Sequence, residues 1–136
     1  MTKISGHCLC GAVKYSTDAE PAMIAVCHCT DCQRQSGSPF SVNVLVPVEE
    51  IEISGAPLKQ FVINGDSGMK VTRRFCSDCG SPLTTQLEAF NNLAAIKAGT
   101  LDDSTWVKPT IQIWCDSAQS WAHVDADIDR AAANPL

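Results

Sequence analysis

Eight cysteines stand in a chain of 136 residues. Seven fall in three short blocks: Cys8-Leu9-Cys10, Cys27-His28-Cys29-Thr30-Asp31-Cys32 and Cys76-Ser77-Asp78-Cys79. Cys115 is alone. Such tight spacings suit disulfides poorly. In a reducing compartment, dense cysteine points to metal binding or catalysis instead. Residues i and i+2 of an extended chain share a face, so Cys8 and Cys10 can present two sulfurs to one ion. Cys76 and Cys79 are followed by Gly80, the pattern of a zinc knuckle, in which glycine accepts the left-handed backbone that lets N–H groups point at sulfur. Two pairs make a tetrahedral four-thiolate site with every position taken. That is a structural zinc, pinning the N-terminal hairpin to a segment far along the chain.

The middle block carries three cysteines and no second pair. Cys27 and Cys29 share a face, and Cys32 returns from the next turn, giving three protein ligands and one open position. His28, between two ligands, should point the opposite way, whereas His123 and Cys115 are remote residues that could close the site. Three thiolates and Zn²⁺ sum to −1, so this ion acidifies water poorly and hydrolysis is disfavoured. A soft ligand suits it: a substrate thiol would bind as thiolate, placed to attack an electrophilic carbon. Cys32, near the start of a helical turn, should gain thiolate stabilisation from the N–H groups there. A redox switch through a Cys29–Cys32 disulfide is a further reading of the same block.

The elements that must position these sulfurs are short strands. Candidate runs are Ala12–Ser16, Ile24–Cys27, Phe40–Val46, Ile51–Ile53, Leu58–Ile63, Val71–Phe75, Leu83–Leu87, Leu93–Lys97 and Ile111–Trp114. In the third, Phe40, Val42, Val44 and Val46 alternate with Ser41, Asn43 and Leu45, which predicts a strand whose valine face is core. Asn64-Gly65-Asp66 is a strong turn signal. Helix is scarce. Thr30–Ser36 predicts one short helix with Thr30 as N-cap and Gly37 as its stop, and a further turn is expected near Leu101-Asp102-Asp103-Ser104. The expectation is a mainly β, antiparallel domain over residues 1–128, with a loose tail at 129–136. Hydrophobic residues at 45% and charged residues at 18% fit one globular core and exclude general disorder. A net charge of −5 disfavours nucleic acid and anionic membrane as partners. No apolar run approaches a membrane span, and the N-terminus reads as no signal peptide, so a cytoplasmic location is expected.

Gly6-His7-Cys8-Leu9-Cys10-Gly11-Ala12-Val13-Lys14-Tyr15 resembles the opening of the glutathione-dependent formaldehyde-activating enzyme (GFA) family, whose zinc domain is shared with centromere protein V. Cys27-His28-Cys29-Thr30-Asp31-Cys32-Gln33-Arg34 and Arg74-Phe75-Cys76-Ser77-Asp78-Cys79-Gly80-Ser81 match the next two family blocks in order. Trp121 falls where members carry a tryptophan. The resemblance runs from about Ile4 to Asp127. It implies a β-tent fold with two Zn²⁺: a structural one on Cys8, Cys10, Cys76 and Cys79, and a catalytic-type one on Cys27, Cys29 and Cys32. The implied activity is that of a carbon–sulfur lyase, joining glutathione to formaldehyde as S-hydroxymethylglutathione. The alternative is a non-catalytic, zinc-stabilised binding module with two structural metals. His7 stands where members often have a smaller residue, and Cys115 lies outside the family's ligand set.

Glutathione carries two carboxylates, so its site should show basic groups. Arg34, two residues after Cys32, and Arg73 and Arg74, before the knuckle, are the candidates, with Lys70 close by. Arginine can fork onto a carboxylate.

Overall fold

A computed structural model describes residues 3–124 and 128–133. Each of the nine expected runs coincides with a strand, four of them (12–16, 40–46, 51–53 and 111–114) overhanging it by one residue. The strands are β2 (Val13–Thr17), β3 (Met23–Cys27), β4 (Ser41–Pro47), β5 (Glu52–Gly55), β6 (Leu58–Asn64), β7 (Lys70–Cys76), β8 (Pro82–Leu87), β9 (Leu93–Lys97) and β10 (Ile111–Ile113). Two strands lack an apolar run to announce them: β1 (Ile4–His7) and β11 (Asp129–Arg130).

Two sheets form, in the orders β1-β2-β5 and β11-β10-β3-β4-β9-β8-β7-β6. Pairing is antiparallel except along β10, which runs parallel to β3 and to β11. The core lies between the sheets. Val44, Val46, Leu83 and Ile96 of the large sheet pack with Ile4, Val13 and Tyr15 of the small one. At Gly6 the Tyr15 ring and the Thr100 carbonyl occupy the space a Cβ would need, so this strand position accepts only glycine without rearrangement.

Strand alternation accounts for what the other face does. Residues Ala25, Cys27, Asn43, Leu45, Arg73, Thr85, Ala95 and Lys97 share the side of the large sheet turned away from that core, where they line a cavity. β4 is therefore buried on both sides. Ser41, Asn43 and Leu45 are as buried as Val44 and Val46, while Val42 and Phe40 are only half-buried. Val44 and Val46 take the expected core side with Val42 packed against them, while the opposite face of β4 forms a second buried layer.

The one α-helix among the described residues, α1 (Thr30–Ser36), has the expected bounds and stop, Gly37 at φ 69° donating its N–H to the Gln33 carbonyl at 2.9 Å. Its N-cap is Cys29 rather than Thr30: the Cys29 sulfur accepts the Cys32 N–H at 3.2 Å. The turn expected near 101–104 has two counterparts: a 3-10 turn at Ala98–Thr100, where the Thr100 hydroxyl donates to the Lys97 carbonyl, and a turn closed by the Val107 N–H on the Ser104 carbonyl at 3.1 Å. The segment expected to be loose from 129 is instead hydrogen-bonded as far as 133. The Trp114, Cys115 and Asp116 N–H groups donate to the carbonyls of Ala133, Ala131 and Ala132. Backbone pairing holds it without requiring side chains to bury.

Candidate metal and substrate site

The four-cysteine group joins the turn after β1 to the end of β7. Gly11 and Gly80, both at φ 78°, allow the two tight returns. The sulfurs of Cys8, Cys10, Cys76 and Cys79 all lie within 4.8 Å of one another. Backbone N–H groups of Val13 and Asp78 donate to Cys8 and Cys76, each at 3.3 Å. Ser81 does two jobs: its oxygen accepts the Leu9 N–H at 3.0 Å, and it lies 3.2 Å from the Cys79 sulfur. Hydrogen bonds from the Ser81 side chain and backbone bring the Cys79 thiol down to about 5. Four converging sulfurs, supported by N–H donors, are the donor set of a closed, soft-metal site.

The second group is built by one strand end and one helix start. Cys27 closes β3, Cys29 caps α1, and Cys32 sits in its first turn, with all three sulfurs within 4.8 Å. Hydrogen bonds from Cys27 and Cys29 hold Cys32 far below the ordinary thiol range, and the charge of Lys97 acts in the same direction. Cys27 is pushed far up by the two sulfurs beside it. The helix-start N–H that was expected to favour Cys32 as thiolate goes instead to Cys29.

No fourth His, Cys, Asp or Glu joins the three among the described residues. His28 is buried on the far side, its Nε2 2.8 Å from Gln112 Oε1 and its ring edge-on to Phe40. His123 is exposed, and Cys115 lies half-buried in a 3-10 turn outside the group. The three sulfurs therefore fit a metal ion held from one side of the protein.

They open on a cavity of about 390 Å³, within the usual range for small-molecule sites. Its floor is the second face of the large sheet. Its sides are the start of α1, the β6–β7 turn, residues 89–91 and the segment from Trp114 to Ser117. Trp114, which lines the cavity, holds a left-handed backbone at φ 56°, a rare setting for so bulky a side chain.

Of the basic residues singled out in the sequence, Arg73 alone reaches this cavity. It is buried, and its Nη1 and Nη2 lie 3.8 and 3.9 Å from the Cys32 sulfur, with Nη1 also donating to Gln35 Oε1 at 3.4 Å. Arg74, next along β7, must face the other way; its Nη1 donates to Gln86 Oε1 at 2.8 Å. Arg34 lies exposed on α1 and Lys70 exposed at the start of β7, and neither lines the cavity. Three buried lining residues went unremarked in the sequence: Asn43, Thr85 and Lys97. The available signal was a single polar residue inside an apolar strand, Asn43 among valines and Lys97 at the end of Leu93-Ala94-Ala95-Ile96.

A sequence model of the glutathione-dependent formaldehyde-activating enzyme family matches residues 3–117. The chain belongs to this family. Relatives include a Penicillium rubens protein, 27% identical over 110 residues, and a Phaeosphaeria nodorum protein, 26% identical over 118. Both are provisionally named as glutathione-dependent formaldehyde-activating enzymes. The matches cover 79% and 85% of this chain but 56% and 61% of those proteins, so the chain spans little more than half the length of its GFA relatives. A crystal structure of a Rhodobacter sphaeroides protein is similar in fold, with a TM-score of 0.57 and 17% identity over 72% of this chain and 87% of that one. The mainly β, tent-like architecture is thus a GFA fold.

Proposed function

We propose that the chain is a zinc-dependent carbon–sulfur lyase of the GFA type, interconverting glutathione plus formaldehyde with S-hydroxymethylglutathione. Cys27, Cys29 and Cys32 would hold one Zn²⁺, and Cys8, Cys10, Cys76 and Cys79 a second, structural one. The observation that carries the reading is the three-sulfur group set in the wall of a cavity, joined by no fourth His, Cys, Asp or Glu among the described residues. A metal there would supply soft coordination of a thiolate sulfur.

The protein's own part is to bind and orient. Arg73 and Lys97 offset the negative charge of the sulfurs, and the apolar wall of Leu45, Leu87 and Trp114 shields the reacting groups from water. In the forward direction the substrate thiol gives its proton to solvent on binding, the thiolate sulfur attacks the carbonyl carbon and an S–C bond forms. The carbonyl π pair moves to oxygen, which takes a proton from solvent. Among the described residues no helix is long and apolar enough to cross a membrane, and a cytoplasmic location gives the thiols the reducing conditions they need.

The test is calorimetric titration of the zinc-loaded protein with glutathione, followed by observation of S-hydroxymethylglutathione by NMR on adding formaldehyde. Binding and faster adduct formation in wild type, both lost in Cys29→Ser, support the reading. Glutathione heats and adduct rates indistinguishable between the two proteins defeat it. The binding-module alternative needs a fourth protein donor at Cys27, Cys29 and Cys32, and no His, Cys, Asp or Glu joins them among the described residues.

A further inference from the structure

Two buried polar atoms in the cavity have no hydrogen-bond partner among the described residues: Arg73 Nε and Thr85 Oγ1. Both side chains are more than nine-tenths buried, and a buried donor left unmade costs about 1–3 kcal/mol. Their positions are related. Arg73 and Thr85 are direct partners across β7 and β8, and Thr85 is the partner of Ala95 in β9. Partners in an antiparallel ladder carry their side chains on one face, roughly 5 Å apart. Ala95 leaves that row open beyond its methyl group, and Lys97 follows two residues on, facing the same way. One Lys97 N–H goes to Asn43 Oδ1 at 2.7 Å, which leaves two.

Charge points the same way. Three thiolates with a divalent ion sum to −1, and Arg73 with Lys97 brings the site to +1. Neither cation forms an ion pair with a carboxylate among the described residues, and the carboxylates that line the cavity, Asp31 and Asp66, are both exposed. Buried positive charge of this kind calls for an anion.

We infer that Arg73 Nε, Thr85 Oγ1 and Lys97 Nζ form a subsite for an anionic oxygen of the substrate, beside the three-sulfur group. This deepens the proposed function and rests on it for the metal charge and for the identity of the substrate. The oxygen could be a carboxylate carried by the bound thiol. It could equally be the alkoxide that develops when sulfur adds to a carbonyl, in which case the three donors act as an oxyanion hole.

Formate is the probe. It is titrated calorimetrically into zinc-loaded wild type, Thr85→Val, Arg73→Gln and Arg74→Gln, whose side chain faces away from the cavity. The subsite requires saturable binding in wild type and Arg74→Gln. It requires weakening of about tenfold in Arg73→Gln and several-fold in Thr85→Val, as loss of charged hydrogen bonds implies. Thr85→Val conserves shape, so its result stands even if Arg73→Gln fails to fold. No formate binding to wild type, or equal binding to wild type and Thr85→Val, overturns the proposal. Glutathione then separates the two sources. Weaker glutathione binding by Thr85→Val assigns a carboxylate, whereas unchanged binding with turnover down about tenfold assigns the alkoxide. If wild type ignores glutathione yet Thr85→Val weakens formate, the subsite stands and the proposed substrate falls.

Discussion

Asn43 and Lys97 are direct partners across β4 and β9, and the Lys97 ammonium donates to Asn43 Oδ1 at 2.7 Å with both side chains buried. Burial lowers the lysine pKa, the Cys32 sulfur opposes that shift and the nearby Arg73 charge adds to it. Asn43→Ala should cost about 1–3 kcal/mol in urea unfolding, because it leaves a buried ammonium without its acceptor. Replacing both partners together, Asn43→Leu with Lys97→Met, removes the buried pair as a whole and should be close to neutral. Unfolding curves for the zinc-loaded proteins check both, and equal losses for the two variants would contradict this account.

The two sulfur groups should respond differently to loss of one member. Cys79→Ser breaks a closed set that ties the turn after β1 to the end of β7, and should leave little folded protein. Cys29→Ser leaves a hydroxyl able to cap α1 by accepting the Cys32 N–H, and removes only one of three thiolate donors. It should remain folded, with bound zinc falling from two per chain to one. Metal analysis beside circular dichroism reads both outcomes.

Tyr15 is the chain's sole tyrosine, so its ionisation can be followed alone by ultraviolet absorbance. Burial pushes the phenol up to about 12, against hydrogen bonding to Thr100 Oγ1 at 2.6 Å. The folded state thus resists ionisation that the unfolded chain undergoes near pH 10. The stability advantage is intact below that pH and is lost progressively as pH rises toward 12. By linkage the loss amounts to roughly 2–3 kcal/mol. Tyr15→Phe should flatten this alkaline slope. A wild-type absorbance midpoint near 10 in protein still folded by circular dichroism would disprove the burial effect.

Gly6→Ala should destabilise by about 3 kcal/mol or more, since the added methyl overlaps both the Tyr15 ring and the Thr100 carbonyl. Combining it with Tyr15→Phe should restore little, because the backbone oxygen remains. Thermal unfolding of the single and double variants measures this.

Cysteine spacing located both sulfur groups, and apolar alternation located nine strands, because each signal is local. β1 escaped notice because Ile4-Ser5-Gly6-His7 carries one large apolar side chain and owes its place to Tyr15, which packs over Gly6. β11 is held by backbone bonds to a distant segment, and side-chain pattern does not record those. The cavity was hidden by the same alternation that revealed β4. A polar residue on a strand normally faces water, whereas Asn43 and Lys97 face a second enclosed layer. Arg34, Arg73 and Arg74 look alike near their cysteines in sequence. The parity of one strand separates Arg73 from Arg74, and exposure on a helix sets Arg34 apart.

The two sulfur groups also differ in when they can exist. Cys27, Cys29 and Cys32 leave the ribosome almost together, so they can seize an ion while most of the chain is unmade. Cys8 and Cys10 must wait as bare thiols until Cys79 has emerged. During synthesis the pair that anchors the finished fold is therefore the one most open to oxidation or to capture by a stray metal. Cells low in zinc or under oxidant stress should lose this protein mainly as new chains, while copies already assembled endure.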